Sequence, residues 1–142
     1  MPHGAVPRFP RVLAPYHDSQ ATRFQDRGIG PGDRIGVILR PRVEAGTIYW
    51  AAQKCGAVFV PFNIRAAADE VAFLVNNTDP ELMCYSAVDR DAVAGARSAF
   101  EHTDELVYVG ADAPEYTTAF PDVLGEDGAS PSLVTDRKST RL

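Results

Sequence analysis

The 142-residue sequence is poor in the residues that mark specialised protein classes, with two cysteines, three histidines and one tryptophan. Cys55 and Cys84 form no C-x-x-C pair, and His3, His17 and His102 are scattered, so neither a disulfide framework nor a metal-ligand spacing emerges. The two thiols read as buried and free, one at a helix end and one inside a strand. Long apolar runs are missing as well. The longest surrounds Ala57-Val-Phe-Val-Pro-Phe62, far below the roughly 20 residues that span a bilayer. The start, Met-Pro-His-Gly-Ala-Val-Pro-Arg, shows no apolar segment followed by a small-residue cleavage site. The expectation is a cytoplasmic protein without a transmembrane segment. Basic residues are outnumbered, 14 Lys and Arg against 19 Asp and Glu, for a net charge of −5. That balance, with no basic stripe interleaved with aromatics, opposes binding to nucleic acid, where phosphate contacts need a cationic face. No G-x-x-x-x-G-K-[ST] stretch occurs.

What remains is an ordinary globular composition, 45% hydrophobic and 23% charged. A chain of this length fits one domain, which would bury roughly 70% of its unfolded surface. Asp18 or Ser19 is placed to cap a short helix reaching Arg27, with Ala21 and Phe24 on its buried face and Gly28 as the left-handed residue that closes it. Ile29-Gly-Pro-Gly-Asp33 is a turn, and Arg34-Ile-Gly-Val-Ile-Leu39 a strand. Pro41 suits a first helical turn, after which Ile48, Ala51, Ala52 and Cys55 recur at helical spacing. Glu44 and Lys54 complement that helix's dipole, and Gly56 ends it. Val58 to Phe62 is the second strand.

A third unit repeats the plan. Asp69 and Glu70 open a helix whose Val71, Leu74 and Val75 face inward, and Asn76-Asn-Thr-Asp-Pro80 breaks it. Leu82 to Tyr85 is a strand, Asp89 to Phe100 a helix with Val93, Ala96 and Phe100 on one side, and Leu106 to Val109 a fourth strand. Apolar strands alternating with amphipathic helices predict a three-layer α/β fold, a mostly parallel sheet flanked by helices on both faces. Residues 111–136 carry six acidic residues and no Lys or Arg, so only Tyr116 to Leu124 suits a short helix and the rest reads as loop. The last six residues, 137–142, then bring three cations.

Candidate sites compete with plainer roles. Gly28, Gly30 and Gly32 look like a phosphate-cradling loop, yet they follow a helix and open a strand, whereas a dinucleotide loop follows a strand and opens a helix. A structural turn is the better reading. Gly125-Glu-Asp-Gly128 is loop, its carboxylates repelling a triphosphate. Ligands of open α/β sheets sit beyond the carboxyl ends of the strands, where Arg40, Asn63, Arg65, Ser86 and Gly110 fall. Asn63 can instead cap the next helix, Arg40 and Arg65 can be solvated, and Ser86 can bond nearby backbone. Tyr49 and Trp50 suit either an acyl pocket or a packing contact. The pairs Asp69 with Glu70 and Asp89 with Asp91 sit at helix starts, which the dipole and capping explain without catalysis. No catalytic, cofactor-binding or metal-binding residue is assigned.

Three motifs carry a resemblance: Gly28-Ile-Gly-Pro-Gly-Asp-Arg-Ile35, Lys54-Cys-Gly-Ala-Val-Phe-Val-Pro-Phe-Asn63 and Glu70-Val-Ala-Phe-Leu74. In this order and spacing they resemble the opening of the acyl-adenylate-forming (AMP-binding) ligase superfamily, of the acyl-CoA synthetase type, whose members read G-[VI]-x-P-G-D-R-[VI], then K-x-G-A-[VI]-[YF]-V-P-[LF]-N, then E-[LV]-x-[YF]-[LI]. The likeness divides the chain into an atypical lead-in (residues 1–22), an α/β segment like the start of such a ligase domain (23–110), an acidic loop-rich segment (111–136) and a basic tail (137–142). Arg40-Pro-Arg-Val-Glu44 departs from the family's L-P-N-S-x-E and leaves its helix without the usual Asn or Ser cap.

The resemblance implies ATP-dependent activation of a carboxylic acid as an acyl-adenylate, followed by transfer to a thiol such as coenzyme A, with ATP, Mg and coenzyme A serving the full-length family. The family's phosphate loop, T-[ST]-G-T-T-G-x-P-K, is absent from the sequence, as are its later catalytic motifs. The expectation is therefore an N-terminal portion of a ligase, inactive alone. The alternative is a self-contained, non-enzymatic α/β module binding a small molecule over Asn63 and Ser86.

Overall fold

The strand β1 (Arg34–Ile38) is buried along its whole length after Arg34, and it pairs in parallel with a strand on either side. In the computed structural model, which describes residues 14–124 and side chains from residue 19, ten elements follow one another along the chain. They are α1 (Ala14–Asp26), β1, α2 (Val43–Cys55), β2 (Val58–Pro61), α3 (Ala68–Thr78), β3 (Leu82–Ser86), α4 (Arg90–Ala96), β4 (Glu105–Val109), β5 (Thr118–Ala119) and α5 (Phe120–Leu124). The sheet runs β2-β1-β3-β4-β5 with every pairing parallel.

Strand alternation sorts the core into two halves. Leu82 and Cys84 point to one face, where α1, α2 and α5 supply Phe24, Ile48, Ala52, Val123 and Leu124. Met83 and Tyr85 point to the other, where α3 and α4 supply Val71, Val75, Val93 and Ala96. From β1 the chain moves outward to β2, then returns past β1 to β3. Two crossovers of opposite direction and the same hand place their helices on opposite faces, which is how α2 and α3 divide. The three-layer α/β architecture expected from the sequence is present, and its sheet is parallel throughout.

Local chemistry sets the element ends. Gly28 and Gly56 both adopt left-handed backbone, at φ 86° and 81°. After each, the next N–H reaches back into the preceding helix, from Ile29 to the Phe24 carbonyl at 3.0 Å and from Ala57 to the Ala52 carbonyl at 2.9 Å. Arg42 occupies the N-cap of α2 in extended conformation and makes no side-chain cap, as its sequence foretold. Its Nε instead donates to Glu44 Oε1 at 2.8 Å.

Several expected boundaries move. The first helix begins at Ala14, so Asp18 lies inside it rather than at its cap. Pro41 stands two residues ahead of α2 instead of in its first turn. The third helix runs through Asn76 and Asn77 to Thr78 and stops where Asp79 turns left-handed at φ 46°. Asn76 does not break the helix because its side chain bonds outward, Nδ2 donating to the Ala99 carbonyl and Oδ1 accepting from the Glu101 N–H, each at 2.9 Å. The helix expected from Asp89 to Phe100 is α4 flanked by 3-10 turns at Ala87–Asp89 and Arg97–Ala99. In the 116–124 stretch, Thr118–Ala119 pairs with β4 as a strand, and helix begins only at Phe120. Two residues are too short for an alternation signal. The Gly125–Gly128 loop and the basic 137–142 stretch lie outside the described residues.

Candidate functional site

The reversal of direction between β1 and β3 marks the crevice where open parallel sheets bind ligands, at the carboxyl ends of the strands. Arg40 follows β1 and is exposed, and Asn63 and Arg65 follow β2 and are exposed. Gly110, exposed after β4, adopts φ 138°. Ser86, the last residue of β3, is buried. The topology thus brings Arg40, Asn63 and Arg65 to the ends of two adjacent strands and keeps Ser86 beneath the surface. Asn63 does not cap α3, whose N-cap is Ala67 with no side-chain cap.

One residue at this edge takes a role that its sequence position conceals. Asp89 precedes α4, where a carboxylate serves helix caps, yet it makes no cap hydrogen bond there. It is 1% exposed, and its Oδ1 accepts the backbone N–H of Arg65, while its Oδ2 has no hydrogen-bond partner among the described residues. No sequence signal separates Asp89 from Asp69, Glu70 and Asp91, which remain exposed at helix starts.

Beside it, three tyrosines and two arginines gather over the α4 face. Tyr85 and Tyr108 meet edge to face at 5.3 Å between ring centres. Arg90 lies 5.4 Å over the Tyr108 ring and donates to the Asp112 carbonyl at 3.0 Å, and Arg97 stacks 3.8 Å over Tyr116. The Tyr85 hydroxyl is buried beside Tyr116. Burial first, then the neighbouring Tyr116, push its pKa well up, so it stays neutral.

The glycine turn lies at the opposite, amino end of the sheet. Gly30 donates its N–H to Asp33 Oδ2 at 2.8 Å and Gly32 donates to the Gly56 carbonyl at 3.1 Å. The Asp33 carbonyl in turn accepts from Val58 N–H at 2.7 Å. Of the N–H groups that a phosphate would require, that of Gly30 already closes the turn on itself and that of Gly32 ties the turn to the end of α2.

Tyr49 packs edge to face on Trp50 and on Phe59, each at 5.3 Å, forming an aromatic strip from α2 to the edge strand β2. Cys55 and Cys84 are free and buried. Burial, then the charge of Glu105, raise the Cys84 thiol far above its ordinary range, which keeps it un-ionised. Among the described residues no group of three or more His, Cys, Asp or Glu is placed to hold a metal ion, and no helix is long and apolar enough to cross a membrane.

An adenylate or triphosphate calls for backbone N–H groups converging at a helix start or glycine loop. The described residues offer two exposed cations at the carboxyl edge, Arg40 and Arg65, and no glycine loop that opens a helix.

Fold and edge together define an open, doubly wound α/β unit. The family model for the AMP-binding enzyme matches residues 15–136, and the chain belongs to that family. It is 31% identical over 87 residues to a long-chain-fatty-acid–CoA ligase, FadD13, of Mycobacterium tuberculosis, an alignment spanning 61% of this chain and 17% of the relative. Over 110 residues it is 26% identical to a long-chain-fatty-acid–CoA ligase of Thermus thermophilus, covering 78% of this chain and 20% of that one.

Among solved structures, a long-chain-fatty-acid CoA ligase from Rhodopseudomonas palustris superposes with TM-score 0.72 at 25% identity, over 80% of this chain and 28% of that one. The anthranilate CoA ligase AuaEII, solved with anthranoyl-AMP, superposes with TM-score 0.74 over 80% of this chain and 22% of that one, and at 16% identity it shows the shared fold. The chain thus spans about a fifth of the curated relatives, 17% and 20% of their lengths.

Proposed function

We propose that this chain is the N-terminal portion of an ATP-dependent carboxylate-activating ligase, which forms an acyl-adenylate and passes the acyl group to a thiol such as coenzyme A. The observation that carries the reading is the family match over residues 15–136, supported by relatives named as CoA ligases. ATP, Mg, the carboxylic acid and the thiol would be engaged chiefly by segments other than this one, since its sequence holds no T-[ST]-G-T-T-G-x-P-K stretch. In this reading the 142 residues are scaffold, inactive alone, and the assembled enzyme works in the cytoplasm. The competing view is a self-contained module with its ligand over Asn63, which is exposed, and Ser86, which is buried at the end of β3.

ATP–pyrophosphate exchange with a panel of carboxylic acids tests the reading. The 142-residue chain is expected to give none, and a polypeptide joining it to a segment with the phosphate-loop motif is expected to exchange. Exchange by the chain alone overturns its inactivity. A folded, joined polypeptide that neither binds ATP nor exchanges overturns the ligase assignment.

A further inference from the structure

Asp89 and Arg65 lie on loops that the sheet keeps apart. Arg65 follows β2, Asp89 follows β3, and β1 runs between those two strands. Neighbouring strands are spaced by about 4.8 Å, so a link between the two loops spans roughly 10 Å of sheet. Asp89 Oδ1 closes that span by accepting the Arg65 N–H. Ile38 at the end of β1, Ala66 beside Arg65 and Tyr85 ahead of Asp89 belong to one apolar cluster beneath the link.

Two independent features show that the link is imposed rather than incidental. Arg65 has φ 63°, left-handed backbone that a side chain with a Cβ adopts only under constraint. Asp89 is almost wholly buried, and among the described residues the bond to Arg65 is the one its side chain makes, so losing it would leave a buried carboxyl group with no partner. Helix capping does not explain its position, because Asp89 makes no cap bond to α4.

We infer that Asp89 is a latch: its carboxylate forces Arg65 into the left-handed region and thereby fixes the 62–66 loop across the carboxyl end of β1. The latch holds exposed Asn63 and Arg65 at the crevice where the strand order reverses. Opening it would expose Asp89 Oδ2 and release Arg65 together. The inference concerns the backbone of this chain and stands apart from any assignment of catalytic activity.

Residue-resolved amide hydrogen exchange on the 142-residue chain tests it. In the wild type the Arg65 amide is expected to exchange at least tenfold slower than in the unfolded chain. Asp89→Asn keeps the Oδ1 acceptor and keeps that protection, whereas Asp89→Ala accelerates Arg65 exchange tenfold or more beyond any change at β3 and β4 amides. Arg65→Gly, which suits a left-handed position, should raise the urea midpoint in the wild type and lower it in Asp89→Ala. An Arg65 amide unprotected in the wild type, or an Arg65→Gly shift of the same sign in both backgrounds, overturns the latch. Should Asp89→Ala not fold, the wild-type exchange rate and the Asp89→Asn variant still decide.

Discussion

Phe62 Cε2 stands 2.8 Å from the point where a Cβ on Gly36 would lie. Gly36 is the middle residue of β1, and the same point is 3.1 Å from Met83 Sδ and 3.3 Å from Pro80 Cγ. The absent side chain at Gly36 lets Phe62, which follows the edge strand, fold back over β1 and join the cluster beneath the 62–66 loop. Gly36→Ala must displace the half-buried Phe62 ring and crowd Met83 and Pro80, and overpacking of this kind costs about 1–3 kcal/mol. Urea unfolding of Gly36→Ala is expected to show that loss. Adding Phe62→Leu should recover part of it, because a smaller side chain vacates the contested space. If the two substitutions lower stability additively, the contact is not what excludes a side chain at Gly36.

Two other glycines differ in sign. Gly46 sits inside α2, exposed, with nothing within 4 Å of an added Cβ. Gly46→Ala is expected to stabilise the fold by about 0.5–1 kcal/mol, since alanine loses less backbone freedom in a helix. Gly56 ends the same helix at φ 81°, and its Cβ would lie 3.2 Å from the Pro31 Cα. Gly56→Ala therefore meets a left-handed penalty of about 1–2 kcal/mol and a backbone that cannot swing aside. Chemical denaturation of the two variants should move in opposite directions. A stabilised Gly56→Ala would mean that the turn from Gly28 to Asp33 is not braced against α2 as described.

How much of this was legible in the sequence follows from the range of each interaction. The helix ends at Gly28 and Gly56 and the buried face Ile48, Ala51, Ala52 and Cys55 depend on spacing within a few residues, and each appears where expected. The alternation of strands and helices was enough for the three layers, because covered parallel strands must be apolar throughout. Strand order was not readable, being set by contacts between distant segments. The edge position of β2 shows why, for Val58 is 48% exposed although its run looks as apolar as central β3. At the carboxyl edge, the sequence reading placed Arg40, Asn63, Arg65, Ser86 and Gly110 at the strand ends, where they lie, but did not reveal that Asp89 reaches the Arg65 N–H. Whether a carboxylate caps its own helix or reaches a loop 24 residues away in sequence depends on tertiary packing, which spacing does not encode.

A clasp joins the end of α3 to the loop before β4. Asn76 bonds the Ala99 carbonyl and the Glu101 N–H, and Thr103 Oγ1 donates to the Pro80 carbonyl at 2.8 Å. Between them His102 Nδ1 lies 3.1 Å from Asp79 Oδ1 on the exposed surface. The hydrogen bond and charge of Asp79 raise the imidazole pKa, with smaller contributions from Glu101 and Asp104. A histidine whose pKa is higher folded than unfolded adds stability that is fully present below its unfolded value, near 6.5, and is lost as pH rises through the folded value. Asp79→Asn removes the charge while keeping a residue that tolerates φ 46°. By NMR titration, His102 should ionise above the ordinary imidazole value in the wild type and fall toward it in Asp79→Asn. The stability gap between the two proteins should be wider just below pH 6.5, where the imidazole is charged and Asp79 still ionised, than in alkali, and it should shrink in salt because the pair faces solvent. A His102 midpoint unmoved by Asp79→Asn would show that the contact holds no charge and that Asn76 and Thr103 alone fasten the loop.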